Sequence, residues 1–144
     1  MAETEYTQTD ISLRGDEHIR VYRESGGKEG YIWNGVPTLL LTVTGRRSGE
    51  PKTSALIFTQ DGEDYLVVAS KGGAPKHPLW YENLQADPHA EVQVLDTTMS
   101  VVARTASAEE KPRLWRIVTD AWPNYDLYQS RTDRDIPVVV LSPT

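Results

Sequence analysis

This chain has no cysteine, few histidines and no long apolar run, and each absence excludes a class of protein or site. Without cysteine, disulfide bonds, thiolate metal sites and cysteine nucleophiles are all excluded. The three histidines, His18, His77 and His89, stand in unrelated contexts without metal-ligand spacing, so no metal site is predicted. No apolar stretch approaches the roughly 20 residues of a membrane-spanning helix, and the acidic N-terminus does not resemble a signal peptide.

The familiar motifs of hydrolysis and phosphoryl transfer are absent as well. The chain contains no G-x-S-x-G nucleophile elbow, no Walker lysine motif and no G-x-G-x-x-G after a predicted strand. Its acidic residues are scattered, and no two of them stand out as a glycosidase pair. If the protein is an enzyme, we therefore expect a cofactor to carry the chemistry.

Size and charge point to one acidic globular domain. The chain has 144 residues, 38% of them hydrophobic, with a formal net charge of −6 and a pI near 5.0. An acidic protein of this kind is not expected to bind nucleic acid non-specifically, because that binding depends on phosphate neutralisation. We predict a mobile tail over residues 1–12, a single domain over 13–144 and a soluble protein located in the cytoplasm.

Cationic residues are nevertheless concentrated in one part of this acidic chain. Almost without neighbouring carboxylates, the segment 39–81 carries Arg46, Arg47, Lys52, Lys71 and Lys76. A cationic pocket on a negatively charged protein indicates a small anionic ligand.

Turn signals and hydrophobic periodicity predict an α+β fold with a mostly antiparallel sheet or barrel. Asp61-Gly62 is typical of a hairpin, Ser107 and Glu110 fit a capping box, and Pro123 should end a helix. The predicted strands are 38–44, 52–59, 64–70, 90–95, 99–105 and 136–141. The predicted helices are 16–24, 79–86, a third from the Ser107 cap to about Trp122, and 124–131.

Three long motifs, in order, resemble one known family. They are LLLTVTGRRSGEPK from Leu39, VASKGGAPKHPLWYENL from Val68, and WPNYDLYQSRTDRDIPVVVL from Trp122. Over roughly residues 18–142 the chain closely resembles the deazaflavin-dependent nitroreductases of actinobacteria, also called F420H(2)-dependent quinone reductases. The resemblance implies a split β-barrel of the kind that also binds FMN, and reduced coenzyme F420 as the hydride donor.

The same resemblance assigns roles to individual residues. Ser70, Tyr125 and Tyr128 are implied to be catalytic, and Trp122, Tyr125 and Tyr128 to line the substrate side. The implied cofactor contacts are Arg46, Arg47, Ser48, Lys52, Thr53, Ser54, Ala55, Leu56, Ile57, Val68, Ala69, Ser70, Lys71, Leu79, Trp80, Tyr81, Glu82 and Asn83. Two positions depart from the family pattern: Ala55 replaces a frequent proline, and Trp122 replaces a tyrosine of some members.

The residues themselves leave several alternatives open. Arg46 and Arg47 offer forked donors to phosphate or carboxylate oxygens, or they keep an exposed hairpin soluble. Trp80 and Tyr81 either line a binding slot for the ligand or pack in the hydrophobic core. Tyr125 and Tyr128 are three residues apart on a predicted helix, so they would share a face. Because the ordinary pKa of a tyrosine is near 10, either side chain is better suited to orienting a substrate than to donating a proton.

At the level of function, three competing hypotheses remain beside a reductase that uses F420. They are an oxidoreductase that uses FMN on the same barrel, a non-catalytic F420 carrier or sensor, and an interaction module without ligand. The acceptor could be a quinone, a nitroaromatic compound or an activated enone. The sequence also leaves open a monomer or a homodimer, and weak association with the inner membrane.

Overall fold

The computed structural model describes residues 15–144, so the tail predicted at 1–12 lies outside the described residues. The assignment of 13–144 to a single domain stays a prediction. The helices are α1 (Gly15–Ser25), α2 (Leu79–Ala86), α3 (Lys111–Ala121) and α4 (Asn124–Ser130), with a short 3-10 turn at Lys71–Gly73. The strands are β1 (Ile32–Trp33), β2 (Val36–Thr44), β3 (Pro51–Ile57), β4 (Thr59–Asp61), β5 (Asp64–Val68), β6 (His89–Val94), β7 (Thr97–Thr105) and β8 (Val138–Pro143).

The strands form one antiparallel sheet that curls until its two ends meet. The order is β1-β2-β6-β7-β8-β5-β4, and β3 pairs with β2 outside this path. Only Phe58 separates β3, which pairs with β2, from β4, which pairs with β5 at the far end of the sheet. Since one short stretch of chain serves both ends, the sheet must bend round on itself, as in a barrel.

Alternation along the strands divides the interior into two hydrophobic cores. In β8, Val139 and Leu141 belong to the first core, which includes Trp80 and Leu84 of α2. Val138 and Val140 belong to the second core, against Leu114 and Val118 of α3 and other residues. Because β8 is buried on both faces, it is a continuous apolar run and not an alternating one. Each fully buried aliphatic side chain contributes roughly 1.5–3 kcal/mol.

Helix α1 is attached to the sheet through two polar side chains. The hydroxyl of Tyr22, which is fully buried, donates to the carbonyl of Thr38 at 3.0 Å and accepts the N–H of Leu95 at 2.9 Å. The Nε2 atom of His18 lies 2.7 Å from the carbonyl oxygen of Gly30. These bonds hold the start of α1 over β2 and so place it beside the cavity described below.

The predicted elements are present, and the differences have local causes. The strand predicted at 52–59 is divided at Phe58. The Phe58 N–H still donates to the carbonyl of Pro37 at 3.1 Å in the β2–β3 register, but Pro37 has no N–H to return the bond, and from Thr59 the chain pairs with β5 instead. The two-residue strand β1 is not among the predicted strands. Helix α3 begins at Lys111, after the Ser107 cap, which leaves Pro112 in the first turn where its missing N–H is not needed.

In the described part of the chain, no helix is both long enough and apolar enough to cross a membrane. Residues 15–144 also contain no group of three or more histidine, aspartate or glutamate side chains that could hold a metal ion.

Candidate functional site

A cavity lies between α1, the edge of β3, the turn after β5 and helix α4. Its volume is about 560 Å³. We call it the aromatic cavity, because its lining residues include five aromatic side chains, those of Trp33, Trp80, Trp122, Tyr125 and Tyr128. The polar groups around it come from Asp16, His18, Thr38, Thr53, Ser54, Ser70 and Lys71.

A second cavity of about 430 Å³ lies beside the first. We call it the cationic cavity; it is lined by Gly45, Arg46, Arg47, Ser48, Lys52, Ser54, Leu79, Trp80 and Asn83. Ser54 and Trp80 line both cavities. The two cavities are therefore adjacent, and we refer to them together as the cleft, with an aromatic part and a cationic part on either side of these side chains.

Strand β3 forms the floor of the cleft because only one of its edges is paired. It bonds to β2 from Pro51 to Ile57, with Thr53 opposite Thr42. The hydroxyl oxygen of Thr53 lies 2.9 Å from that of Thr42 and accepts a bond from Arg23 of α1 at 2.7 Å. Of the predicted cofactor contacts, Lys52 and Ser54 lie at the cationic cavity, and the aromatic cavity is lined by Thr53, Ser54, Ala55, Leu56 and Ile57.

The turn between β2 and β3 places Arg46 against helix α2. Gly49 donates its N–H to the carbonyl of Gly45 at 2.8 Å, which closes the turn. Arg46 donates to Oδ1 of Asn83 from its backbone N–H at 3.1 Å and from Nη1 at 3.0 Å, and its Nη2 lies 3.3 Å from a carboxylate oxygen of Glu82. Arg46 is thus already bonded within the protein, and Glu82 serves as its partner.

Unlike Arg46, the other cations of the cleft have no carboxylate partner within the described residues. Arg47, Lys52 and Lys71 are exposed, and within residues 15–144 none of them forms an ion pair. Their positive charge is available to an anionic ligand. The hydroxyl of Ser48 accepts the N–H of Glu50 at 3.2 Å, which helps to hold the turn that carries Arg47.

Helix α2 divides its aromatic residues between cleft and core. Trp80 is only 8% exposed and lines both cavities, whereas Leu79 is 66% exposed at the rim of the cationic cavity. Tyr81 turns away: its hydroxyl oxygen lies 2.7 Å from that of Thr105, and its side chain lines neither cavity. Ala69 is likewise buried in the first core. The cofactor contacts predicted for Tyr81 and Ala69 stay predictions.

The turn after β5 brings Ser70 to the aromatic cavity, and its predicted contact with the cofactor stays a prediction. Ser70 is buried, and in the described part of the chain its hydroxyl forms no hydrogen bond. The next three residues all have left-handed backbone angles: φ is 46° at Lys71, 64° at Gly72 and 83° at Gly73. Such angles cost little for glycine but roughly 1–2 kcal/mol for lysine, so this turn is strained at Lys71.

The far end of the aromatic cavity is formed by the end of α3 and by α4. Trp122 and Trp33 have ring centroids 6.1 Å apart, and Tyr125 and Tyr128 meet edge to face, also at 6.1 Å. Burial raises the pKa of Tyr125 well above its ordinary value of 10, and the neighbouring Tyr128 adds to the rise. The Tyr125 hydroxyl therefore keeps its proton at neutral pH and can donate a hydrogen bond into the cavity.

Several cavity residues were not predicted. They are His18 and Ile19 of α1, Trp33 of β1 and Thr38 of β2. No local pattern distinguishes His18 or Ile19 from the rest of a short amphipathic helix, because their role depends on how α1 crosses the sheet.

Comparison with known proteins identifies the family. A sequence model described as F420H(2)-dependent quinone reductase matches residues 14–143. The chain belongs to that family. It is 43% identical, over 129 residues and 87% of each chain, to an F420H(2)-dependent quinone reductase of Mycobacterium tuberculosis strain H37Rv. These relatives confirm the family that the three sequence motifs indicated.

Solved structures agree with this family assignment. A structure described as an F420-H2 dependent reductase is 40% identical, has a TM-score of 0.69, and the match covers 74% of this chain and 94% of that one. A domain-swapped dimer is 35% identical, has a TM-score of 0.72, and the match covers 88% and 95% of the two chains. The α+β fold with a split antiparallel barrel is thereby confirmed.

Proposed function

We propose that this protein is an oxidoreductase that transfers a hydride from reduced F420 to a quinone or a similar electron-poor acceptor. The observation that carries the proposal is a pair of adjacent cavities, an aromatic one of about 560 Å³ and a cationic one of about 430 Å³, which share Ser54 and Trp80 as lining residues. The names of the relatives point to the same activity.

The cleft fits the parts of the cofactor. F420 has an apolar tricyclic ring, a phosphodiester and a tail of glutamates, so it needs an apolar slot next to several cationic donors. Ser54, Ala55, Leu56, Ile57 and Trp80 would hold the ring. Arg47 and Lys52, exposed and without an ion pair in the described part of the chain, would attract the phosphodiester and the carboxylates, together with Arg46, Ser48 and Asn83 at the same cavity.

The cofactor, when bound, supplies a hydride, and the acceptor takes up that hydride and one proton to become a hydroquinone. The protein positions the two molecules and keeps water away from them. Trp122, Tyr125 and Tyr128 would contact the acceptor. The Tyr125 hydroxyl, kept neutral by burial, would donate a hydrogen bond to an acceptor oxygen, and the unbonded hydroxyl of Ser70 would do the same for the cofactor or the acceptor.

The deciding experiment follows the oxidation of reduced F420 by menadione through the return of F420 absorbance. Purified protein should accelerate it, and neither reduced FMN nor NADPH should replace reduced F420. Turnover with FMN in place of F420 would establish the flavin enzyme instead. Saturable binding of F420 without turnover of any quinone, nitroaromatic or enone would establish a carrier, and absence of both binding and turnover would refute the proposal.

Location and assembly are the remaining parts of the proposal. A cytoplasmic location, with or without weak association with the inner membrane, stays a prediction. A solved relative is a domain-swapped dimer, which supports a homodimer over a monomer here. Light scattering coupled to size exclusion would distinguish the two states.

A further inference from the structure

Arg134 forms four side-chain hydrogen bonds near the cleft, although it lines neither cavity. It lies between α4 and β8, and its guanidinium reaches back to the segment that follows β5. Its Nε donates to the carbonyl of Ala74 at 2.7 Å, Nη1 to that of Ala69 at 3.1 Å and Nη2 to that of Ser70 at 2.6 Å. Nη1 also lies 3.1 Å from Nδ1 of His77.

These partners are unusual for an arginine that is partly buried. Within residues 15–144, Arg134 forms no ion pair with a carboxylate; three of its four partners are backbone carbonyls, and the fourth is an imidazole nitrogen. Hydrogen bonds from a charged donor are stronger than neutral ones, and a guanidinium can serve several acceptors at fixed angles. Arg134 therefore holds both ends of one turn, Ser70 before it and Ala74 after it.

That turn needs support from outside itself. Lys71, Gly72 and Gly73 all have left-handed φ angles, and lysine adopts such an angle at a cost. A strained backbone of this kind persists only where the surrounding structure holds it. Inside the turn there are two bonds, from Gly73 N–H to the Ser70 carbonyl at 2.9 Å and from Ala74 N–H to the Lys71 carbonyl at 3.1 Å.

Helix α4, which lines the aromatic cavity, holds Arg134 in its place. Gln129 of α4 donates from Nε2 to the carbonyl of Arg134 at 2.8 Å and accepts the N–H of Ile136 at 2.9 Å. Helix α4 also carries Tyr125 and Tyr128 into the aromatic cavity. A continuous set of hydrogen bonds therefore joins α4 to the turn that presents Ser70 and Lys71.

We propose that Arg134 is a positioning residue, which sets the place of Ser70 and Lys71 in the cleft by holding the strained turn from its outer side. The consequence for cofactor binding rests on the proposed function, because Ser70 and Lys71 act there as contacts of F420. The effect on the turn itself does not depend on any ligand.

Three variants test the inference: Arg134→Ala, Arg134→Lys and, as a matched control, Arg113→Ala. Arg113 also forms two charge-assisted bonds, to Asp61 at 3.0 and 2.9 Å, but it lies on the outer face of α3 and lines neither cavity. Arg134→Ala should raise KM for reduced F420 roughly tenfold with a much smaller change in kcat, and the control should change neither.

The conservative variant separates positioning from general stability. Lysine keeps the charge and most of the packing, but a single ammonium group cannot serve the carbonyls of Ala69, Ser70 and Ala74 in the geometry of the fork. Arg134→Lys should therefore recover most of the Tm lost in Arg134→Ala and still show the raised KM. Added guanidinium ion should lower KM of Arg134→Ala and leave Arg113→Ala unaffected. A KM of Arg134→Lys within twofold of that of the unaltered protein would overturn the inference.

A measurement without cofactor keeps this inference distinct from the proposed function. In the unaltered protein the amides of Gly73 and Ala74 are bonded within the turn, so they should be protected from hydrogen exchange. Arg134→Lys should lose that protection, together with resistance to trypsin at Lys71, whether or not the protein uses F420. If those amides exchange as in the unaltered protein, Arg134 does not hold the turn, even if F420 turnover is established.

Discussion

At the scale of single residues, the cleft contains two kinds of polar group. Some are already bonded within the protein, such as Arg46 with Asn83 and Glu82. Others, such as the Ser70 hydroxyl, form no hydrogen bond within the described residues and lie at the aromatic cavity. The second kind is available to bond a ligand, and the first kind is held in place by the protein before any ligand binds.

Tyr125 gives a prediction about stability at alkaline pH. Burial raises its pKa in the folded protein, so above about pH 10 the unfolded chain loses a proton that the folded chain keeps. The free energy of unfolding should therefore fall as pH rises, by about 1.4 kcal/mol per pH unit from this group. Tyr125→Phe should remove that contribution. Urea unfolding of both proteins at about pH 9 and about pH 11 measures it; equal losses in the two would contradict the prediction.

Gly73 gives a second prediction at this scale. Its φ is 83°, and a Cβ there would lie 2.4 Å from the carbonyl oxygen of Tyr128. Gly62, in the β4–β5 hairpin, has a φ of 63° and no atom within 4 Å of such a Cβ. Gly62→Ala should therefore cost about 1 kcal/mol for backbone angle alone, while Gly73→Ala adds a backbone clash and should cost about 3 kcal/mol.

Urea unfolding measures the two glycine variants side by side. Gly73→Ala should also raise KM for reduced F420, since the shifted turn carries Ser70 and Lys71, whereas Gly62→Ala should not. Equal destabilisation of the two variants would show that the contact between the turn and α4 is looser than the structure has it.

At the scale of secondary-structure elements, helix α3 shows how a local motif supports the site. Ser107 donates its N–H to the Glu110 carboxylate at 2.8 Å, and the Glu110 N–H donates to the Ser107 hydroxyl at 3.3 Å. This reciprocal pair is the capping box that the sequence predicts. It stabilises the start of α3, and the other end of α3 leads directly to Trp122 in the aromatic cavity.

Ser107→Ala should therefore destabilise the protein by about 1 kcal/mol, because an orphan N–H at the start of α3 loses its acceptor. Ser107→Thr, which keeps the hydroxyl, should cost clearly less and is the matched control. Thermal unfolding of the two variants compares them. If the alanine and threonine variants have the same Tm, the capping box contributes nothing and packing alone holds α3.

At the scale of the whole molecule, charge is distributed unevenly. The chain has a formal net charge of −6, yet the cationic cavity gathers Arg46, Arg47 and Lys52 on one side of Trp80. A negative surface repels anions in general, while a concave cationic patch attracts a small anion that can enter it. This arrangement favours an anionic small-molecule ligand over a polyanion.

The double variant Arg47→Ala/Lys52→Ala should therefore weaken F420 binding by at least about tenfold at low salt. Its affinity should also depend less on ionic strength than that of the unaltered protein. Arg116→Ala, on the exposed face of α3 and outside both cavities, serves as control for the loss of positive charge and should bind F420 normally. Titration of F420 fluorescence at two salt concentrations gives the affinity and its dependence on ionic strength. An unchanged affinity of the double variant would show that the cationic patch does not bind the cofactor.

Much of the fold and part of the site could be predicted because their causes are local. Helix α2 runs from Leu79 to Ala86 as expected, since Pro78 and Pro88 bound it. The hairpin at Asp61-Gly62, the capping box at Ser107 and the apolar run of β8 are likewise set by neighbouring residues. The cationic turn at Arg46 and Arg47 could be found for the same reason, because it is a continuous motif.

Only the tertiary structure decided the rest. Three features depend on residues that are far apart in the chain. They are the closure of the sheet at Phe58, the placement of His18 and Trp33 around the aromatic cavity, and the direction of Tyr81 into the core. The same holds for the bonding of Arg134 to carbonyls more than 55 residues away, such as that of Ser70 at a separation of 64. Sequence by itself determined the elements and the chemical types of the ligand contacts, because dihedral preferences and periodicity act over a few residues. Packing decided which of those side chains meet, because it depends on the whole curled sheet.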